Sequence, residues 1–505
     1  MKRSLFVFTL VLLIASTATA QAPDTVWSKI FDTEVDDYCL GATFTSDGFL
    51  VLTGIHYIDP VSPGFSSDAA LRKVDADGNE VWYHHYDYDG QDQVYTVAET
   101  PDSDLIVFGL TGPGTGNSFA PLILKTDADG LELWHQSYPV ADYDVIGWSG
   151  IQTADKGFLM VGSYKPTGLS DGMMDGMIMK TDSAGVLQWR HEYGGDFEDC
   201  LYNAVQIDDG NYVVCGYSYI SSGHTQGWIL KVDSNGNEIW STLFGGEEDV
   251  TSQRLIETPN GNFLTCGRIG SISPNIGDGY LARFSSDGDS LAFYRYDPLD
   301  DDITLLRDMI PVYGGDPASS EIVGYCISGW TQADATDFST TDNILICVDL
   351  SGSLNWYLEL GIDGEEWSAW GFTEAWNGGS VLAGQANYNT TDEQAVIVYR
   401  LEPMHLSGIG GQIVSLPTEF TLSRAWPNPF NPSTSVTLTL PKASYLTLAV
   451  YDVLGREVAT LAEYNYGAGT HHFTFDGSDL TSGLYFIKAF TNAGAEQTRK
   501  VVLMK

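Results

Sequence analysis

Three observations predict an all-β chain, a seven-bladed β-propeller of four-stranded blades closed by the N-terminal strand, followed by a C-terminal immunoglobulin-like β-sandwich. A Trp-bearing motif recurs with a period of about fifty residues. Hairpin turns rich in Asp, Asn and Gly separate short β-rich runs, and amphipathic helical periodicity is absent throughout. The 505 residues carry 24 basic and 67 acidic side chains, a net charge of −43. That balance excludes a nucleic-acid partner, which needs a basic surface, and an anionic membrane surface, which recruits Lys and Arg clusters. Residues 404–505 are electrically neutral, so the acid belongs to residues 21–403. The two regions therefore read as different domains.

The chain opens with Lys2 and Arg3, an apolar run from Leu5 to Ala15, and small residues at Ala18 and Ala20. This is the layout of a secretory signal over residues 1–20, cut near Ala20. The run is shorter than the roughly 20 residues of a bilayer span, and no later segment is longer, so no transmembrane segment is expected. Without a Cys at the cut, a lipid anchor is not expected either.

Next comes the repeat array over residues 21–403. Lys73, Asp75, Gly78 and Trp82 recur as Lys125, Asp127, Gly130 and Trp134, as Lys180, Asp182, Gly185 and Trp189, and as Lys231, Asp233, Gly236 and Trp240. Degenerate copies end at Ala292 and Trp356, and Trp27 stands 55 residues before Trp82. Seven units thus begin at 27, 82, 134, 189, 240, 292 and 356. Each reads as four strands; in the fourth they are Leu201–Ile207, Tyr212–Ser218, Gln226–Asp233 and Glu238–Phe244. Glycines between them supply the positive φ of tight hairpins. Four strands in about fifty residues suit a propeller blade. A parallel β-helix is the runner-up, but its repeats are shorter and it lacks these hairpins. The seventh unit stops after residues 394–401 without a Trp-bearing strand, which residues 26–31 can supply to close the ring. The recurrent Trp fills space between splayed sheets. The tryptophan-docking motif of quinone-dependent dehydrogenases and the sialidase Asp-box both differ from these repeats in spacing.

After a linker at 404–416, residues 417–505 contain Trp426, Pro427, Asn428, Pro429, Phe430, Asn431 and Pro432, then Asp452, Gly455 and Arg456, then Gly483, Tyr485 and Lys500. In order and spacing these motifs resemble the C-terminal sorting domain, type A, of proteins exported by the type IX secretion system. Trp426 departs from the Tyr or Phe more usual there. The resemblance implies recognition by the outer-membrane export machinery, and release or attachment to surface glycan after cleavage. The prolines suit an extended entry segment, and alternating Val436/Leu438/Leu440, Leu446/Leu448/Val450 and Phe473/Phe475 suit a small sandwich. A plain immunoglobulin-like module without a sorting role is the alternative.

Linear catalytic motifs are absent: no phosphate-binding loop, no nucleophile elbow, no zinc spacing and no EF-hand. The Asp-x-Asp-Gly runs at Asp75 and Asp127 read as exposed hairpin turns rather than calcium loops. The six cysteines read as buried thiols, with disulfides between Cys326 and Cys347 or between Cys200 and Cys215 as the alternative. The candidate site is a ring of carboxylates. Six residues beyond Phe31, Tyr86, Tyr138, Tyr193, Phe244, Tyr296 and Leu360 stand Asp37, Asp92, Asp144, Asp199, Val250, Asp302 and Glu366, with Asp249 one residue earlier in the fifth unit. All should mark one mouth of the channel, beside long loops at Tyr57–Ser67, Lys165–Met174 and Thr331–Thr341. They either accept loop N–H bonds or converge on a cation, for which calcium is the candidate. No other cofactor is evident. The expected protein is a secreted or cell-surface monomer that binds a glycan or protein. A secreted polysaccharide hydrolase or lyase, working through paired carboxylates, is the alternative, disfavoured because the acids follow the repeat.

Overall fold

Short β-rich runs closed by Asx turns dictate the local structure. In the computed structural model, Asp75 Oδ1 accepts the backbone N–H groups of Asp77 and Asn79 at 2.9 and 2.8 Å, and Gly78 takes φ 78°. The same turn forms at Asp127, Asp182, Asp233 and Asp349. At Asp75 the Asn79 N–H holds the carboxyl below its ordinary range. The calcium-like runs are therefore hairpin turns.

The structure describes residues 23–505 apart from 24, 32–36, 59–65, 89, 114–118, 168–173, 196, 222–223, 247, 272–275, 297–302, 314–320, 333–340, 361–365, 375–378, 388–393, 403–419, 426, 441–443, 467–468, 479 and 492–493. The signal segment, the linker, most of the three long loops, Asp302 and Trp426 lie outside the described residues. Every described element is a β-strand, and among the described residues no helix is long and apolar enough to cross a membrane.

The strands fall into antiparallel four-strand meanders. The first six are contained in residues 37–86, 91–137, 143–193, 199–244, 249–296 and 303–360. One parallel bridge, Ser67–Gln91, joins the first to the second, and another, Gly277–Ile303, joins the fifth to the sixth. A seventh combines three strands from residues 366–401 with Thr25–Phe31, whose Ile30 and Phe31 pair with Ile397 and Val396. The inner strands touch in closed succession: Asp37–Phe44, Gln91–Glu99, Tyr143–Gln152, Asp199–Gln206, Asp249–Glu257, Ile303–Tyr313, Glu366–Glu374 and again the first. The arrangement is propeller-like.

In the fourth meander the strands are Asp199–Gln206, Tyr212–Ser221, His224–Val232 and Glu238–Phe244. Three differ from the expected bounds by up to three residues, because backbone pairing continues past the apolar run that marks a strand in sequence. Apolar clusters lie between successive meanders, for example Ile106, Phe108, Phe158, Met160 and Met179 between the second and third. All six cysteines are free and buried. Cys326 stands directly opposite Cys347, whereas Cys200 faces Tyr217 and Cys215 faces Asn203. Residues 421–503 form a three-stranded and a four-stranded sheet sharing one core, including Val436, Leu438, Leu448, Val450, Ile487 and Val501.

Candidate functional site

The acids predicted from the repeat occupy the heads of the inner strands. Asp37, Asp199 and Asp249 open theirs, Asp92 and Asp144 are second in theirs, and Glu366, described through its backbone alone, opens the seventh. Asp37, Asp92 and Asp199 are nearly fully buried. Asp92 Oδ2 accepts the Tyr88 N–H and Asp199 Oδ2 the Gly195 N–H, both at 2.7 Å and both from the loop entering the strand. Asp144 accepts the Phe119 N–H at 3.1 Å, just before the third strand of the preceding meander, and Asp249 accepts the Thr225 N–H at 2.8 Å from within that strand of its own preceding meander. These carboxylates tie loops and neighbouring meanders together, because a buried carboxylate needs donors. Burial pushes the Asp199 carboxyl above its ordinary value. Among the described residues no three His, Cys, Asp or Glu side chains are disposed around a common metal position.

Asp37 differs from the others. Its carboxylate meets His56 Nδ1 at 2.9 Å, Arg72 Nη2 at 3.1 Å and the Tyr83 hydroxyl at 3.1 Å. Arg72 is buried, bonds Glu80 at 2.9 Å and lies over the rings of Tyr83 and Phe31. A small recess lined by Asp37, Leu52, Arg72, Tyr83 and Val396 opens here, against the seventh meander. The sequence reading did not find this group, because its members come from every strand of the first meander.

A second feature runs along the inner strands. In each of the seven, pairing with the second strand slips by one residue at an equivalent position, Leu40, Tyr95, Trp148, Tyr202, Gln253, Arg307 and Trp370, and the seventh slips again at Ser368. Such β-bulges re-aim the unpaired side chain. Several of these side chains meet across meanders: the rings of Tyr95 and Trp148 stand 5.0 Å apart, and those of Trp148 and Tyr202 6.0 Å apart. Leu40 belongs to the same cluster. The Arg307 charge acts on Tyr202, while burial brings the Arg307 pKa down to about 10. An aromatic run bounded by a guanidinium can stack on and hydrogen-bond a ring-shaped ligand. Its sequence signal is the glycine beside each bulge, repeated at Gly54, Gly109, Gly162, Gly216, Gly267, Gly329 and Gly384.

The C-terminal motif has a structural basis. Asn428 acts as a backbone mimic on the last strand, Glu496–Leu503, donating to the Lys500 carbonyl and accepting the Val502 N–H, both at 2.9 Å. Phe430 is buried against Phe475, and its N–H and C=O bond Val502 and Met504 at 2.9 Å. The peptide bonds before Pro429 and Pro432 are cis. Asn431 follows Phe430, and the Pro427 and Pro432 carbonyls accept from the Thr434 hydroxyl and the Gly477 N–H. Asp452 caps its hairpin through the N–H groups of Leu454 and Arg456 and pairs with the Arg456 guanidinium, while Gly455 takes φ 76°. Gly483 opens a strand, and the buried Tyr485 donates to the Thr481 carbonyl at 2.8 Å. At the hairpin tip Val453 and Leu454 are exposed.

Comparison with known proteins assigns this last region. Residues 424–504 match the secretion system C-terminal sorting domain. A relative by sequence is the regulatory protein FlaEY of Caulobacter vibrioides, 25% identical over 199 residues, a stretch covering 35% of this chain and 20% of that protein. Among solved structures, PorZ, a surface component of the type-IX secretion system of Porphyromonas gingivalis, superposes with TM-score 0.40 and 12% identity over 98% of this chain and 62% of its own. The β-propeller domain of the Trilobed protease from Pyrococcus furiosus superposes with TM-score 0.40 and 9% identity over 75% of this chain and 98% of its own. The chain thus spans about a fifth of its curated relative and 62% of PorZ.

Proposed function

We propose that this chain, which ends in a type IX sorting domain, is an exported binding protein of the cell surface or surroundings. Residues 21–403 form a seven-bladed β-propeller, and residues 417–505 an immunoglobulin-like sandwich read by the outer-membrane export machinery. The carrying observation is the sorting-domain match at 424–504, with its Asn428, Phe430 and Asp452 motifs built into the fold. The closed succession of inner strands supports the ring, as does completion of the seventh meander by Thr25–Phe31. For binding, the support is the run Tyr95, Trp148 and Tyr202 beside Arg307. Aromatic faces with a few fixed polar groups suit a glycan or a protein segment.

The test is removal of residues 417–505 in a host with type IX export. The shortened chain is expected to fold and stay in the periplasm, while the intact chain reaches the outside. Equal appearance of both outside the cell would overturn the export reading.

A further inference from the structure

The first meander breaks the repeat with a set of polar side chains that the carboxylate ring does not explain. Asp37, His56 and Asp68 stand in register across its first three strands, and His85 lies on the fourth, opposite Ala70. His56 Nδ1 meets Asp37 Oδ1 at 2.9 Å, and His85 Nδ1 meets Asp68 Oδ2 at 2.6 Å. A carboxylate only accepts, so Nδ1 carries a proton in both rings, and in the neutral imidazole Nε2 is the nitrogen left with a lone pair. No described group bonds either Nε2. The two ring centroids are 4.9 Å apart, with the planes tilted by 33°. Both carboxylates are buried, while the His56 and His85 side chains are 16% and 53% exposed. Two imidazoles therefore stand side by side toward solvent, each backed by a buried acid.

A carboxylate behind each imidazole, fixing its tautomer and its orientation, is how proteins prepare histidines to bind a metal. The rest of the group supports that arrangement. Arg72 and Tyr83 hold Asp37 at 3.1 Å each, which keeps this carboxylate behind His56. Asp37, Asp68 and Glu80 outnumber the single Arg72 charge, so the surroundings favour a cation. Nitrogen donors select zinc, copper or nickel over calcium and magnesium, which take oxygen ligands. The set is specific to this meander. At the second-strand position of His56 the next four meanders have Thr111, Lys165, Ser218 and Gly270. At the position before the repeated Lys, where Arg72 stands, they have Leu124, Met179, Leu230 and Ala282.

We propose that His56 and His85 form, through their Nε2 atoms, a two-nitrogen site for a divalent transition-metal cation at the solvent edge of the first meander. Water completes the coordination, since no third His, Cys, Asp or Glu among the described residues is placed to join them. The pair escaped the sequence reading because its members are 29 residues apart on the second and fourth strands, whereas the adjacent His84 lies against Trp82 and the Gly130 turn.

The test uses the full chain, stripped with a chelator and titrated calorimetrically with zinc chloride. One zinc per chain is expected, with a rise in melting temperature as zinc is added. His85→Ala, at an exposed position, should fold as the parent does and lose the site, and His56→Ala should lose it too. Asp68→Asn, which leaves both imidazoles in place, should weaken zinc about tenfold or more. Absence of zinc binding in the parent would overturn the proposal, as would parental affinity in the His56→Ala and His85→Ala chains or displacement of zinc by equimolar calcium.

Discussion

At the scale of single residues, the repeat is a code for joining one meander to the next. The hydroxyls of Tyr86, Tyr138, Tyr193 and Tyr296 donate to the carbonyls of Gly130, Gly185, Gly236 and Gly352 in the following turn, at 2.6 to 2.7 Å. The rings of Trp82, Trp134 and Trp189 cover the first three of these glycines and Tyr294 the fourth: a Cβ on Gly185 would lie 3.0 Å from Trp134. These glycines thus serve both a positive φ and a close approach. Leu360 departs from the Tyr pattern where the following meander has no such hairpin, its last two strands coming from opposite ends of the array. A like-charge contact is the opposite case. Oxygens of Asp175 and Asp199 both crowd Gly194, and burial, then Asp199 and Glu192, raise the Asp175 carboxyl above its ordinary value. A raised carboxyl means that ionisation opposes folding, a penalty present above the folded pKa and lost as pH falls below the ordinary value. Asp175→Asn is therefore expected to stabilise the chain by about 0.5 kcal/mol at pH 7. In urea titrations that gain should fade as pH falls towards about 4. A pH-independent difference would assign the effect to packing.

At the scale of the strand, the recurring device is a bulge and its glycine. A Cβ on Gly54, Gly109, Gly162, Gly216, Gly267 or Gly329 would lie 1.6 to 2.0 Å from an inner-strand carbonyl oxygen, that of the residue two before the bulge. No side chain fits there without moving backbone, so the glycine is what permits the bulge, and the bulge aims Tyr95, Trp148 and Tyr202 at one another. Gly162→Ala is expected to lower stability by about 2 to 3 kcal/mol. It should also change the near-ultraviolet signal of Trp148, two residues from the obstructed Ile146 carbonyl. Gly195→Ala, where a Cβ meets nothing within 4 Å, is the control. A Gly162→Ala chain as stable as that control would show that the second strand shifts at little cost.

At the scale of the whole molecule, the two ends of the array share one sheet. Removing Thr25–Phe31 uncovers the edge of Gln394–Leu401, including the buried Val396, Ile397 and Val398. An exposed apolar edge also invites pairing between chains. A chain lacking residues 21–31 should melt well below the parent and form larger species in light scattering. Melting at the parental temperature would mean that the seventh meander stands without its fourth strand. Charge works against the array as well: residues 21–403 carry all the excess acid behind the net −43. Ion pairs such as Arg295 with Glu248 and Asp278, at 2.9 and 2.6 Å, offset a small part of that repulsion.

The sequence alone determined whatever depends on neighbours along the chain. The Asp and Gly spacings marked the turns, alternation marked the strands, and the missing Trp-bearing strand after 394–401 pointed to residues 26–31. The C-terminal motifs marked the sorting domain. Seven equivalent acids were also legible, but not what they hold. Tertiary structure decided that Asp92 and Asp199 accept loop amides while Asp37 meets His56, Arg72 and Tyr83. It also decided that His56 stands beside His85 and Tyr95 beside Trp148. The reason is register: side-chain partners across a sheet follow from how strands pair. A bulge of one residue re-aims a side chain without leaving a mark in the spacing of the residues it brings together.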